Sequence, residues 1–260
     1  MKKKIYIVTW FSARNYGTCL QAAALYKYLE NLGYNVFYAK RGSKYGFINK
    51  CVSIFRRGVN NIKGCVSASD YKRFLFLRGF KIKRISSGVL RKDDCCLAGS
   101  DQIWNTYYNY SPFYFLDFAE DRGKRVSYAS SIGTNGVKEE YKAVVKKHLL
   151  KFDSIGVRER TAVCALSELT GRRDIVQVLD PTFLLTSYDW GVLCNEAVIE
   201  MELPSRYMLC YVLGENIMYK KNLEDIRDKI GIKSIVLVRS CENSKFQFDN
   251  DEILEDEEDI

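Results

Sequence analysis

Residues 97–105 hold the residue types in this chain that are best suited to chemistry. They read Leu-Ala-Gly-Ser-Asp-Gln-Ile-Trp-Asn, so a short apolar run ends at a glycine and is followed by a hydroxyl, a carboxylate and two amides. This change is typical of a strand that ends at a binding edge. The side chains predict a surface that binds a sugar or another polyol, with Trp104 as its apolar wall. A turn in which Asp101 caps a helix and Trp104 fills the core would give the same pattern.

Polar residues also follow other predicted strands of the chain. In a parallel sheet the carboxyl ends of the strands share one edge, where open α/β folds bind their ligands. The residues predicted to meet at this edge are Asn15, Asp101, Ser131, Arg158 and Asp180. A structural role is an equal alternative for two of them, since Asp180 can cap the turn before Pro181 and Arg158 can pair with Glu159. The one histidine, His148, lies beside two lysines in a predicted basic helix and is interpreted as a surface residue.

The elements that must position these residues alternate between strand and helix. Residues 4–10 are β-branched and aromatic, and a helical pattern then ends at Gly33 before a second strand at residues 34–39. Further strands are predicted at residues 95–98, 125–132, 154–157 and 175–179, with helices at residues 137–152 and 161–169. Residues 112–118 fit either a strand or a packed loop. The pattern predicts an α/β domain with a parallel sheet and a right-handed first β-α-β unit.

A second alternating region begins after a predicted connecting helix. We assign residues 1–186 to a first domain, residues 187–204 to the connection, and residues 205–260 to a second domain with an acidic tail. The second region offers strands at residues 207–213 and 234–238 around a helix at residues 218–230. Two strands and one helix do not cover both faces of a sheet, so we expect this second domain to be incomplete. Residues 249–259 hold eight acids and no base, and we expect them to be disordered.

Charge is distributed unevenly along the chain. The net charge is +8, so residues 1–248, without the eight acids of the tail, carry +16. Residues 41–92 hold fourteen Lys and Arg against one acid, and we interpret them as basic helices over the edge of the sheet. A solvated basic surface is the simplest interpretation, and peripheral association with a membrane or an anionic lipid-linked glycan is the second. The sequence contains no recognised nucleic-acid module, so we expect no nucleic-acid partner.

The remaining composition sets the broad class of the protein. No apolar run approaches the length of about 20 residues that a membrane span needs, and we expect a cytoplasmic protein. Location at the inner face of the membrane is the alternative that the basic residues leave open. The nine cysteines include no C-x-x-C pair, so neither a zinc site nor a disulfide framework is indicated. The first strand-loop-helix lacks the G-x-G-x-x-G spacing, which gives no support to a dinucleotide cofactor.

Six short segments, taken together, resemble the polysaccharide pyruvyl transferase family. They run in family order from the N-terminus to about residue 240. The segments are Asn15-Tyr16-Gly17-Thr18 with Leu20-Gln21, Gly99-Ser100-Asp101-Gln102-Ile103-Trp104-Asn105, Ser127-Tyr128-Ala129-Ser130, Val157-Arg158-Glu159, Asp180-Pro181-Thr182 with Leu184-Leu185, and Tyr207-Met208-Leu209-Cys210-Tyr211. The string from Ser100 to Asn105 is the most specific.

The resemblance implies an architecture and an activity. It implies two Rossmann-like domains that face each other across a cleft, as in GT-B glycosyltransferases, with the acceptor sugar on the first domain. The implied enzyme is a bacterial transferase of exopolysaccharide biosynthesis. It moves a pyruvyl group from phosphoenolpyruvate to a sugar of a cell-surface polysaccharide, and it needs no cofactor or metal beyond this donor substrate.

Site residues follow from the matched segments. Asp101 is the expected base for the acceptor hydroxyls. The expected acceptor-binding residues are Asn15, Tyr16, Gly17, Ser100, Gln102, Trp104, Asn105, Ser131 and Arg158. Similar proteins carry a histidine in a Ser-Phe-His-Gly-like motif and an arginine in the second domain, and neither motif occurs here. We therefore expect a truncated chain that is inactive by itself. Two alternatives are a non-catalytic glycan-binding module and a GT-B-type glycosyltransferase.

Overall fold

The first strand, β1 (Lys4–Val8), forms from alternating β-branched and aromatic residues, and four of its five residues are buried. Our computed structural model describes residues 3–11, 15–41, 79–85, 90–108, 110–119, 122–194, 203–213, 219–240 and 252–254. Helix α1 (Tyr16–Asn31) follows β1, with Asn15 as its N-cap. The chain leaves this helix at Gly33, whose φ of 86° lies in the left-handed region that glycine adopts without strain.

Seven parallel strands form the main sheet, which confirms the predicted α/β class. After β1 these are β2 (Asn35–Arg41), β3 (Ile82–Ile85), β4 (Cys95–Ala98), β5 (Lys124–Ser130), β6 (Ser154–Val157) and β7 (Ile175–Gln177). Their order across the sheet is β3-β2-β1-β4-β5-β6-β7. Ile5 of β1 lies beside Val36 on one side and Cys95 on the other, so the strand order reverses at β1. Such a reversal opens a crevice at the carboxyl ends of the two central strands.

Helices cover both faces of this sheet, as an all-parallel sheet requires. On one face lie α2 (Lys142–Leu149) and α3 (Arg160–Thr170), which bury Leu149 and Leu166 against the strands. On the other face α1 packs with the 3-10 helix Pro181–Leu184 and with α4 (Ser187–Cys194). Residues 112–118, left open by the sequence, form the 3-10 helices Pro112–Phe115 and Asp117–Ala119.

A second, smaller sheet contains the strands near the C-terminus. Strands β8 (Tyr207–Leu213) and β9 (Ser234–Ser240) are parallel and are joined through α5 (Tyr219–Ile230). Strand β10 (Glu252–Leu254) pairs antiparallel with β9, and Ile253 lies beside Val236. The expectation that residues 249–259 are disordered is therefore wrong for residues 252–254, because their backbone groups pair with an edge of this sheet.

The expectation of helices throughout residues 41–92 is also wrong in part. Residues 82–85 (Ile-Lys-Arg-Ile) form β3, in which Ile82 lies beside Tyr38 of β2. Lys83 and Arg84 suit this edge strand because their charges discourage further strand pairing. Residues 42–78 and 86–89 lie outside the described residues. Within the described parts of the chain, no helix combines the length and the apolar character that crossing a bilayer requires.

Candidate functional site

The reversal of strand order places the segment after β4 beside the loop after β1. Thr9 Oγ1 donates a hydrogen bond to the carbonyl oxygen of Ser100 at 2.6 Å, which joins the two strand ends. Gly99 permits this approach, because a Cβ atom added there would lie 3.0 Å from Cβ of Thr9. Asp101 then takes a φ of 76°, and its backbone forms an isolated bridge with Ser130, the last residue of β5. These contacts turn the Asp101 side chain toward the N-terminus of α1.

The Asp101 carboxylate is held by two donors. Oδ2 accepts a hydrogen bond from Thr18 Oγ1 at 2.6 Å, and Oδ1 accepts one from the backbone N–H of Gln102 at 2.8 Å. Thr18 lies in the first turn of α1, where the helix dipole favours a negative charge. Residues 102–104 form turns rather than a helix, so Asp101 does not cap a following helix. The carboxylate is half-buried and fixed in position, which suits a group that accepts a proton from a bound hydroxyl.

Asn15 lies at the same edge, as the sequence predicted. Its Oδ1 accepts a hydrogen bond from the Thr18 backbone N–H at 3.3 Å, so Asn15 and Asp101 contact the same threonine. Tyr16 packs edge-on against Tyr211 of β8, with ring centroids 5.7 Å apart. Gly17, the next residue in the chain, is exposed. The start of α1 therefore presents an amide, a phenol ring and an open glycine next to Asp101.

Trp104 does not form the expected apolar wall of a ligand site. Its side chain is 1% exposed and stacks on Phe115 at 5.4 Å between ring centroids, with Phe152 edge-on at 5.6 Å. Its Nε1 donates to the carbonyl oxygen of Tyr114 at 2.9 Å, so the one polar atom of the ring is satisfied. The expectation that Trp104 contacts the acceptor is wrong, because burial of a large aromatic ring and its hydrogen bond hold Trp104 in the core.

Asn105 and Ser131 are also committed to the protein interior. Asn105 donates through Nδ2 to Gln102 Oε1 at 2.8 Å and accepts through Oδ1 from the Tyr107 N–H. Ser131 is 1% exposed, and its hydroxyl accepts from the N–H of Gly133. Both were expected to bind the acceptor directly. Their buried contacts instead support the turn that carries Asp101, while Gln102 remains partly exposed.

Ser100, Arg158 and Asp180 form one network beside Asp101. Asp180 Oδ2 accepts from Ser100 Oγ at 3.1 Å and from Arg158 Nη1 at 3.3 Å, while Oδ1 accepts from the N–H and hydroxyl of Thr182. Arg158 also donates to Glu159 at 3.0 Å. Burial lowers the pKa of Arg158, but hydrogen bonds and charges from Glu159 and Asp180 outweigh this effect and raise it.

This network supports the structural alternative for Asp180, which caps the turn at Pro181. It also supplies a hydrogen-bond acceptor for the Ser100 hydroxyl, which is completely buried and does not reach a ligand directly. Arg158 keeps 31% of its side chain exposed, so one part of the guanidinium still faces the edge.

A pocket that the sequence analysis missed opens beside this edge. Its volume is about 520 Å³, and we call it the basic pocket. It is lined by Thr9, Trp10, Phe11, Ala39, Lys40, Arg41, Ser111, Phe113 and Tyr114. Three separate segments supply these residues, namely the ends of β1 and β2 and the start of a 3-10 helix. Burial is the largest cause that raises the pKa of Tyr114. The hydrogen bond with Trp10 opposes this effect, and the nearby charge of Asp101 adds a smaller increase.

His148 lies away from this edge and is not a surface residue. It is half-buried on α2, with its ring stacked on Phe115 and Nε2 at 3.1 Å from the Tyr110 hydroxyl. Burial, as the largest cause, lowers its pKa. An imidazole held between Phe115 and Tyr110 does not reach a substrate at the carboxyl edge.

Neither a cysteine nucleophile nor a metal cluster is found near Asp101 in the described ranges. Burial raises the pKa of the Cys19 thiol to about 12 and that of Cys96 to about 12, so both stay protonated near neutral pH. The described residues contain no group of three His, Cys, Asp or Glu side chains that could hold a metal ion. The carboxylates of Asp101 and Asp180 lie at this edge.

Comparison with known families agrees with the resemblance drawn from the six segments. A family model described as polysaccharide pyruvyl transferase matches residues 15–257, which is nearly the whole chain. The chain belongs to the polysaccharide pyruvyl transferase family. A comparison with curated proteins finds no match. The match extends across both sheets and includes Asn15, Asp101, Arg158 and Asp180. Thr9, Trp10 and Phe11, which line the basic pocket, precede the matched range.

Proposed function

We propose that this protein takes part in the transfer of a pyruvyl group from phosphoenolpyruvate to a sugar of a cell-surface polysaccharide. The observation that carries the proposal is the family match over residues 15–257. In this reaction two hydroxyls of one sugar add to the carbon that bears the phosphate. The neighbouring CH2 group, the enol carbon that must be protonated, takes one of the two released protons, and the other leaves with phosphate. The product is a cyclic ketal. The reaction therefore needs a base for the hydroxyls, an acid for the enol carbon and cations for the donor.

We assign the base to Asp101. Its carboxylate is fixed by Thr18 and Gln102 through hydrogen bonds of 2.6 and 2.8 Å, so little reorganisation is needed when a sugar hydroxyl approaches. The exposed surface beside it, at Asn15, Tyr16 and Gly17, is the proposed acceptor surface. Gln102 and Arg158 are partly exposed and complete it.

We do not assign the acid to His148. The only histidine of the chain, His148, contacts Tyr110 and Phe115 rather than the carboxyl edge. We propose that the carboxyl edge of the main sheet forms the acceptor side of a GT-B-like site, with β8 facing it through the contact between Tyr211 and Tyr16. We expect this chain, purified alone, to bind acceptor and to release no phosphate from phosphoenolpyruvate.

A non-catalytic glycan-binding role is the second candidate. The position of His148 favours it, because a protein that only binds glycan needs no proton donor for an enol carbon. The two functions differ in what happens to the polysaccharide of the host when the gene is removed.

The test is to delete the gene and to measure pyruvate ketals in purified cell-surface polysaccharide by proton NMR. Pyruvyl transfer predicts that the ketal methyl signal disappears and returns when the gene is restored. A glycan-binding role predicts an unchanged ketal content per repeating unit. An unchanged content would reject our proposal, provided that the same polysaccharide is still produced in the deletion strain.

A further inference from the structure

The basic pocket has the chemistry of a site for a charged sugar. Its volume of about 520 Å³ falls within the range of small-molecule sites, roughly 300 to 1,000 Å³. Two cations, Lys40 and Arg41, lie at the carboxyl end of β2. Among the described residues that line the pocket, none is acidic. An anion that enters would therefore meet two positive charges and no repelling carboxylate within the lining.

Aromatic rings form much of the remaining wall. Trp10 stands edge-on to Tyr114 with ring centroids 6.2 Å apart, and Lys40 Nζ lies 5.4 Å from the centre of the Phe11 ring. The C–H groups on one side of a pyranose ring are apolar and can pack on such rings, while hydroxyls on the ring edge find partners such as Ser111. A free phosphate or another small inorganic anion would leave the aromatic wall without contact.

Position connects the pocket to the acceptor surface. Thr9 lines the pocket and also donates to the Ser100 carbonyl, one residue before Asp101. Tyr114 lines the pocket and lies close enough to Asp101 for that charge to raise its pKa. A glycan with one sugar at Asp101 could therefore place a neighbouring sugar in the basic pocket.

We propose that the basic pocket is a subsite for an anionic hexose of the acceptor glycan, bound through its negative group by Lys40 and Arg41 and through its ring by Trp10 and Tyr114. The identification of the ligand as part of the acceptor glycan rests on the proposed function, but the binding of an anionic hexose does not depend on pyruvyl transfer. The negative group is a carboxylate in a uronic acid or a phosphate in a sugar phosphate, and both satisfy the same two cations.

The test measures equilibrium binding to the 260-residue chain by ligand-observed saturation-transfer NMR. The probes are glucuronate, glucose 1-phosphate, neutral glucose and phosphoenolpyruvate, with inorganic phosphate as a competitor. We expect one or both charged hexoses to bind at least about tenfold more tightly than glucose, because a charge-assisted contact is lost with the neutral sugar. The stronger of the two identifies the source of the charge. Equal binding of glucose, or tighter binding of phosphoenolpyruvate than of either hexose, would overturn the proposal.

Variants locate the binding. The double variant Lys40→Gln/Arg41→Gln should lower affinity for the charged hexose by about tenfold or more, to the level of glucose. The matched control is Lys81→Gln/Lys83→Gln, which removes two lysines that also lie over an aromatic ring, that of Phe37, but do not line the pocket. It should change affinity by less than about twofold, within the range of a distant surface change.

Arg41 is exposed, so the single variant Arg41→Gln repeats the test if the double variant folds poorly. An equal loss in the Lys81/Lys83 control, or no loss in Arg41→Gln and in the double variant, would show that the pocket is not the site.

Failure of this proposal can be told apart from failure of the proposed function. If the gene deletion removes pyruvate ketals but no charged hexose binds, the function stands and the subsite is wrong. If charged hexoses bind through Lys40 and Arg41 but the deletion leaves the ketals unchanged, the subsite stands without the transferase role.

Discussion

Replacing Asp180 with alanine should destabilise the protein, because this carboxylate joins three segments at the carboxyl edge. The change removes the acceptor for the Thr182 N–H, a capping interaction worth about 1 kcal/mol. It leaves the buried Ser100 hydroxyl without its partner, which costs about 1 kcal/mol or more. The ion pair between Arg158 and Asp180 contributes less to the free energy of unfolding than a buried ion pair would, because 31% of the Arg158 side chain and 21% of the Asp180 side chain are exposed. The expected loss in the free energy of unfolding is about 2–4 kcal/mol.

The assay is urea unfolding followed by circular dichroism, with the midpoint and the m value fitted separately. We expect a lower midpoint at an unchanged m value, since the surface exposed on unfolding stays the same. Asp174→Ala is the matched control, because Asp174 pairs with Arg172 at an exposed position and should leave the midpoint nearly unchanged. A loss below about 0.5 kcal/mol for Asp180→Ala would refute the reasoning, because changes of that size are typical of surface positions without structural contacts.

Three further predictions concern other parts of the molecule. Trp104→Ala should lower the free energy of unfolding by about 3–5 kcal/mol in the same urea assay, because it leaves a cavity beside Phe115. A change near zero would show that Trp104 is not part of the core. Burial lowers the pKa of His148 below its ordinary value of 6.5, so the folded protein binds fewer protons than the unfolded chain. The free energy of unfolding should therefore fall as the pH drops through about 6.5 and below. His148→Gln should show a flatter pH dependence of unfolding over that range. Residues 41–92 hold fourteen Lys and Arg, so any association with anionic vesicles should weaken as the salt rises from 0.1 to 1 M. Over this range the Debye length falls from about 10 to about 3 Å. Co-sedimentation that does not depend on salt would contradict this prediction.

Local sequence was enough to predict most strands of the main sheet. Strands β4 and β6 match the predicted ranges because each is a short, largely apolar run bounded by turn or polar residues. The same rule placed Asp101 and Asn15 at one edge, since parallel strands bring their carboxyl ends together. It failed at β3, where four residues of mixed polarity form an edge strand amid strongly basic sequence.

Local sequence did not predict the direction in which individual side chains point. Whether Trp104 faces the ligand or the core depends on Phe115 and Phe152, which pack against it from later segments. The basic pocket was missed for the same reason. It needs Trp10, Arg41 and Tyr114 from three segments, and none of these segments has a binding motif of its own. Asp101 has a positive φ, a conformation that aspartate tolerates better than most residues, and it forms a bridge with Ser130 of a later segment that local sequence does not reveal.

The most direct test of the central claim is restoration of pyruvate ketals in the deletion strain by variants of this gene. Asp101→Asn keeps the shape of the side chain but removes the base, and we predict that it fails to restore the ketal signal while the protein accumulates normally. Asp93→Asn makes the same chemical change at an exposed turn before β4, at the opposite edge of the sheet, and should restore the signal fully. Full restoration by Asp101→Asn would contradict the claim that pyruvyl transfer depends on the Asp101 carboxylate.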